Sequence, residues 1–204
     1  MYSPYQLLNN PVFYQWFQDL LGDKNFRDFI AAHAIRPRPG DRVLDIGCGT
    51  GILVSHLPDV DYTGIDLNPG NIEHAQKKYG NRGTFHCTDA SRLQTDETGW
   101  QPFHIITMVG VAHHLPDATL QEVLRECKRM LVPQGGRLLM FDPCFHEGQH
   151  PLARFLAQKD RGIYVRRPEE YERLCASVFA RVHAGIRQDL YRIPYSFLLI
   201  EASD

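Results

Sequence analysis

From Asp41 onward, short apolar runs alternate with amphipathic stretches along the chain. The apolar runs are rich in β-branched residues and fall at Arg42–Asp45, Tyr62–Asp66, Thr84–Cys87, Phe103–Val109 and Arg137–Asp142. Runs of that length and composition predict strands buried on both faces. The clearest amphipathic stretch is 117–132, where Leu120, Val123, Leu124, Cys127, Met130 and Leu131 form one stripe and Glu122, Arg125, Glu126, Lys128 and Arg129 occupy the other faces. The following VPQGG, with Pro133 and two glycines, stops that helix. Strands alternating with helices imply right-handed crossovers and a mostly parallel sheet covered on both sides. After Asp142 comes a longer helical stretch, then two last strand candidates, ARVHAGIRQ and YSFLLIEA.

The first 35 residues read as helical. Asn10 and Pro11 suit a helix start, and Val12, Phe13, Trp16, Phe17, Leu20 and Leu21 follow at helical spacing. A second helix runs through Phe26, Phe29, Ile30 and His33 until Pro37 and Pro39 forbid continuation. The RPRPG stretch reads as a hinge between an N-terminal helical cap (1–39) and a central core (40–143), with helices and final strands in 144–204. All 204 residues fit one domain.

A net charge of -2 gives no electrostatic reason to expect a nucleic-acid partner. No apolar run reaches membrane-spanning length, and MYSPYQLLNN lacks the layout of a signal peptide. The five cysteines are odd in number and form no Cys-x-x-Cys pair, so the expectation is a reducing, cytoplasmic setting without disulfides or a metal knuckle.

The strand ends carry the chemistry. Gly47, Gly49 and Gly51 follow the first strand as G-x-G-x-G, whereas the dinucleotide fingerprint G-x-G-x-x-G would need glycine where Ile52 stands. A ligand with a charged amino-acid end needs an acid for its ammonium and loop amides for its carboxylate. Asp45, just before the glycines, is placed to supply the acid, directly or through water. Asp66 ends the second strand, at the spacing of a ribose-binding acid, and Asp89 follows the third, where a carboxylate can take an adenine amine. Each acid alone also reads as an ordinary strand-end cap; together, beside three glycines, they point to a nucleoside.

At this point VLDIGCGTG, GIDLNP, TDA and LVPQGGRLLMFDP resemble the successive motifs of the class I S-adenosylmethionine-dependent methyltransferases, most of all the small bacterial enzymes that methylate quinones and natural products. The resemblance is strong over Asp41–Pro143. It implies a Rossmann-like α/β fold with a seven-stranded sheet whose last strand is antiparallel. It also implies S-adenosyl-L-methionine as cofactor. The methionyl end would lie at Asp45, Gly47, Cys48 and Gly49, the ribose at Asp66 with Leu67, and the adenine at Asp89 and Ala90, with Val109 closing the fourth strand. The activity implied is methyl transfer to a small-molecule acceptor, by O-, N- or C-methylation. Two rivals stay open: a relative that binds the nucleoside without transferring a methyl, and a nicotinamide oxidoreductase.

Acceptor-side candidates are more scattered. His113 and His114 follow the fourth strand, where either could accept a proton or simply shape the loop. HEGQH (His146 to His150) matches a zinc-protease string, but Gly148 and Pro151 argue against the helix that string requires, so a loop over the pocket mouth with no metal is expected. Arg161, Tyr164, Arg166 and Arg167 cluster before Pro168; Tyr164 and Arg166 are candidates to hold an acceptor, as are His146 and Tyr14 of the aromatic N-terminus. No pattern sets an oligomeric state.

Overall fold

A hydrophobic run becomes a central strand only if both of its faces are covered, and the computed structural model, which describes residues 23–93, 99–159 and 162–204, shows how that is done. Strands β1 (Arg42–Ile46), β2 (Asp61–Asp66), β3 (Thr84–Cys87), β4 (Ile105–Val109) and β5 (Arg137–Pro143) are all parallel. β6 (Arg181–Arg187) and β7 (Phe197–Ser203) complete a seven-stranded sheet of order β3-β2-β1-β4-β5-β7-β6, with β7 antiparallel to both neighbours. This is the mixed sheet expected, with the antiparallel last strand inserted between β5 and β6.

Side-chain alternation splits the core in two. Leu44 and Ile46 of β1 join Ile106, Met108, Leu138 and Met140 on the face covered by α3 (Asp117–Met130) and α5 (Pro168–Ala176). Val43 joins Tyr62, Ile105, Leu139 and Phe141 on the opposite face, covered by α1 (Asp23–Phe29) and α2 (Pro69–Tyr79). The remaining helix, α4 (Pro151–Lys159), buries Ala153 and Ala157. The stripe expected on α3 is the buried one, Leu120, Val123, Leu124, Cys127 and Met130.

Some expectations shift. α1 continues through a π-helical turn, Ile30–Ile35, and Phe26, Ile30, Ala34 and Ile35 lie in the core, so this segment is part of the main body. The RPRPG stretch after it, read above as a hinge, carries contacts to both sides of the corner. Arg36 adopts a left-handed φ of 44° and pairs with Glu201 at 2.7 Å, and Arg137 donates to the Ile35 carbonyl. The helix expected over Val12–Leu21 lies outside the described residues. Phe103 makes only an isolated bridge to Leu131, so β4 starts two residues later than expected. Between β1 and β2 the chain has room only for a short 3-10 turn, Ile52–His56, ahead of Pro58.

Candidate functional site

Because β1 to β5 run the same way, their C-terminal ends share one edge. Chain order reverses between β1 and β4, which opens a crevice at that point. The glycine loop, Asp66, Asp89 and the β4 end all stand on this edge.

The loop is held by its own backbone. The N–H groups of Gly47 and Cys48 both donate to the Ile65 carbonyl of β2, at 2.8 and 2.9 Å, and that of Gly51 to Cys48 O. Gly47 has φ of 73°, and a Cβ there would collide with Val111 Cγ2. Gly49 also has positive φ, 54°, yet a Cβ on it would meet nothing within 4 Å. So Gly47 serves packing, and Gly49 leaves a face open on which a ligand can lie against bare backbone. The loop amides expected to take a carboxylate are bonded inward instead.

Asp66 braces this loop from β2. Its Oδ2 accepts from the Gly49 N–H at 2.9 Å, and its Oδ1 accepts from the Asn68 N–H at 2.8 Å and Asn71 Nδ2 at 3.2 Å. Leu67, next along, is 69% exposed, an unusual position for a leucine with a core beside it. Asp89 accepts from Ser91 N and Oγ, and those bonds hold its carboxyl below the ordinary range. Ala90 beside it and Val109 at the β4 end are half-buried.

Asp45 has an inward role. Alternating with Leu44 and Ile46, its carboxylate points into the α1 layer, where Tyr62 Oη donates to Oδ2 at 2.6 Å and Thr107 Oγ1 to Oδ1 at 2.7 Å. It therefore stitches β1 to β2 and β4 from beneath the loop, and burial pushes its carboxyl up to about 6. Cys48 is also buried, and burial raises its thiol well above the ordinary range. Asp45, Gly47, Cys48, Gly49, Asp66 and Leu67 thus form one continuous patch, with Asp89 and Ala90 at its β3 side.

The β5 side is assembled differently. His113 is buried; its backbone N–H and its Nδ1 both reach Asp142 Oδ1, at 3.0 and 2.6 Å. A carboxylate only accepts, so Nδ1 carries the proton. Asp142 Oδ2 is buried with no hydrogen-bond partner among the described residues. His114 lies exposed against the His113 ring, 4.1 Å between centroids. The segment at Gly162 closes over the His113 imidazole so tightly that a Cβ there would overlap it, and the Tyr164 N–H donates to His113 O at 3.0 Å.

Arg166 is not the open clamp its position in the sequence suggests. It is 6% exposed and its guanidinium is engaged on the protein: Nη1 on the carbonyls of Ala112 and Tyr164, Nη2 on that of Leu115, Nε on Asp117 at 2.9 Å. Tyr164 stays partly exposed beside it. His146 sits apart, its ring between Glu147 O, Ser196 Oγ and Gln188 Nε2, while His150 Nδ1 accepts from the Leu152 N–H at the start of α4. The two histidines of HEGQH are each engaged locally, and the described residues contain no cluster of metal ligands. Tyr14 lies outside the described residues. Sequence reasoning missed Tyr62, Thr107 and Asp142 as partners of the site; Asp142 alone had a signal, an acid ending a parallel strand as Asp66 does.

Residues 43–135 match the family model described as a methyltransferase domain. The 27-O-demethylrifamycin SV methyltransferase of Amycolatopsis mediterranei is 34% identical over 113 residues, covering 52% of this chain and 39% of that protein. A ubiquinone biosynthesis O-methyltransferase of Bordetella avium is 29% identical over 131 residues, covering 62% of this chain and 47% of that protein. The chain thus spans about half or less of the length of these curated relatives. Among solved structures, magnesium protoporphyrin IX methyltransferase from Synechocystis PCC 6803, with bound SAH, has the same fold: TM-score 0.67 at 18% identity, over 98% of this chain and 97% of that one. Motifs, sheet order and matches agree: residues 43–135 are similar to a methyltransferase domain, on the sheet order that its solved neighbours share.

Proposed function

We propose that this chain transfers a methyl group from S-adenosyl-L-methionine to a small organic acceptor. The observation that carries the reading is the open face of Gly49 beside Asp66 and the exposed Leu67, at the point where strand order reverses. These residues fit a nucleoside: Asp66, accepting from Gly49, Asn68 and Asn71, keeps acceptor capacity for a ribose hydroxyl, Leu67 offers an apolar surface to a base, and Asp89 and Ala90 follow β3 on the far side. Asp45, buried just before the glycines and already accepting from Tyr62 and Thr107, is the acid this reading assigns to the ammonium, directly or through water. The spacing and open surface suit this ligand better than a dinucleotide, whose fingerprint the loop lacks.

When bound, this cofactor supplies an electrophilic methyl carbon on a sulfonium. The chain's own work is to hold the two reactants in line, with reacting atoms about 3–3.5 Å apart, and to keep water out. For an acidic acceptor a proton must also leave. His113, oriented by Asp142, and His114 beside it are the candidates for that role. A cytoplasmic setting belongs to the same reading; all five cysteines are unpaired, and no helix among the described residues is long and apolar enough to cross a membrane.

Calorimetric titration with S-adenosylmethionine and S-adenosylhomocysteine tests the proposal, using wild type, Asp66→Ala and Leu67→Asp. Binding by the wild type should weaken about tenfold or more in each variant, since charged hydrogen bonds or a buried apolar contact are lost. Circular dichroism melts show whether each variant is folded. Failure of folded wild type to bind either ligand would end this reading. Methyl uptake onto small phenols and amines from labelled cofactor then tests transfer itself.

A further inference from the structure

Beyond the C-terminal end of β5, on the same edge of the sheet as the glycine loop, lies a recess of about 400 Å³ lined by Phe145, His146, Glu147, Gly148, Gln149, Arg154 and Arg167. Three chain segments build it. The extension of β5 brings Phe145, whose N–H donates to Arg166 O at 3.1 Å and so sets it beside Arg167. α4 brings Arg154, its guanidinium 5.4 Å from the centre of the Phe145 ring. Arg167 stands at the N-cap of α5, its own N–H donating to Glu170 Oε2 at 2.7 Å.

The polar inventory is unbalanced. Neither the Arg154 nor the Arg167 guanidinium has an ion-pair or hydrogen-bond partner among the described residues, in contrast to Arg166, whose donors are engaged on protein oxygens. Glu147 is the one acid of the lining and forms no ion pair there among the described residues, so the recess keeps an excess of one positive charge. Gln149 donates Nε2 to Cys144 O at 3.0 Å, which fixes the amide and leaves Oε1 buried without a partner among the described residues. Buried acceptors are rarely left unpaired, so this oxygen is suited to an O–H or N–H of a bound molecule. His146 is already held by Glu147 O, Ser196 Oγ and Gln188.

We infer that this recess receives the anionic end, a carboxylate or phosphate, of the methyl acceptor, with Arg154 and Arg167 as its cationic contacts and Gln149 Oε1 accepting from a neighbouring hydroxyl or amine. The inference rests on the methyl-transfer reading above and names the substrate class for it. β5 lies two strands from β1, so the recess is displaced sideways from the glycine loop by about 10 Å at ordinary strand spacing. A one- or two-ring acceptor spans that distance, with its anion anchored at one end and its nucleophile at the other. Forked guanidinium bonds would fix the orientation as well as the affinity.

The test is calorimetric titration of the full chain, saturated with S-adenosylhomocysteine, with benzoate and separately with inorganic phosphate. Wild type, Arg154→Gln, Arg167→Gln and the surface control Arg125→Gln are compared. The inference expects one of the two probes to bind wild type and the control alike, and to bind each recess variant about tenfold more weakly. Preference for benzoate marks a carboxylate acceptor, preference for phosphate a phosphorylated one. Equal binding by all four proteins, or no binding of either probe to a protein that does bind S-adenosylhomocysteine, overturns the inference while leaving the cofactor reading intact. If S-adenosylhomocysteine itself fails to bind, the methyl-transfer reading fails first, and the acceptor assignment falls with it.

Discussion

The two sides of the crevice are secured by different materials. At the glycine loop, backbone holds backbone: Gly47 and Cys48 are tied to Ile65, and a single side chain, Asp66, braces Gly49. On the β5 side, side chains hold the loops. Arg166 gathers the carbonyls of Ala112, Leu115 and Tyr164, and Asp142 holds both the ring and the main chain of His113. A ligand common to many proteins can be met by a fixed backbone cradle. An acceptor that differs from enzyme to enzyme calls for walls whose side chains can be exchanged without disturbing the cradle.

That contrast can be broken most forcefully at Arg166. Arg166→Met removes the guanidinium and strands three carbonyls, two of them in the His113 loop, so it should cost about 3–5 kcal/mol in urea unfolding. If the loop were instead self-supporting, the loss would be under 1 kcal/mol, about the cost of an exposed charge.

The cradle can be tested with a matched pair. Gly47→Ala combines left-handed strain with a collision against Val111 and should destabilise the fold by about 2–4 kcal/mol. Gly49→Ala meets no atom, so it should cost about 1 kcal/mol of strain while abolishing S-adenosylhomocysteine binding. Equal stability losses with binding retained in the second variant would show that Gly49 borders no ligand.

A third prediction concerns Asp45. Its folded carboxyl lies at about 6, above the unfolded value of 3.8, so the folded protein holds this proton more tightly than the unfolded chain does. The stability it contributes is full below pH 3.8 and is lost as pH rises through about 6. Asp45→Asn should therefore match wild type near pH 4 and exceed it by about 1–3 kcal/mol at pH 7 in urea titrations. If Asp45 also meets the ammonium of the cofactor, wild-type affinity should fall as pH drops below about 6, and the variant should show no such slope.

How much of this could be read from the sequence follows the same division. The glycine loop and Asp66 were legible because positive φ and strand ends are local demands, written in adjacent residues. The five parallel strands were legible from β-branched runs, and the error at Phe103 came from judging a strand start by composition alone. Arg166 was misread because its partners, from Ala112 to Asp117, lie about fifty positions earlier in the chain. Tyr62 and Thr107 were missed for a related reason: their hydroxyls matter only because β2 and β4 flank β1 and face the same layer as Asp45. The bond by which Arg137 reaches back to Ile35 beside the RPRPG stretch is likewise one that nothing near the prolines foretells.

The outermost strand carries one more consequence. β6 is exposed along most of its length, pairs only with β7 among the described strands, and has Arg181 and Arg187 at its two ends with Gly185 between them. An unpaired strand edge is a template for joining sheets from separate molecules. Charged termini and a residue without a side chain make such joining unfavourable, so β6 acts as a guard against aggregation while its inner side completes the fold.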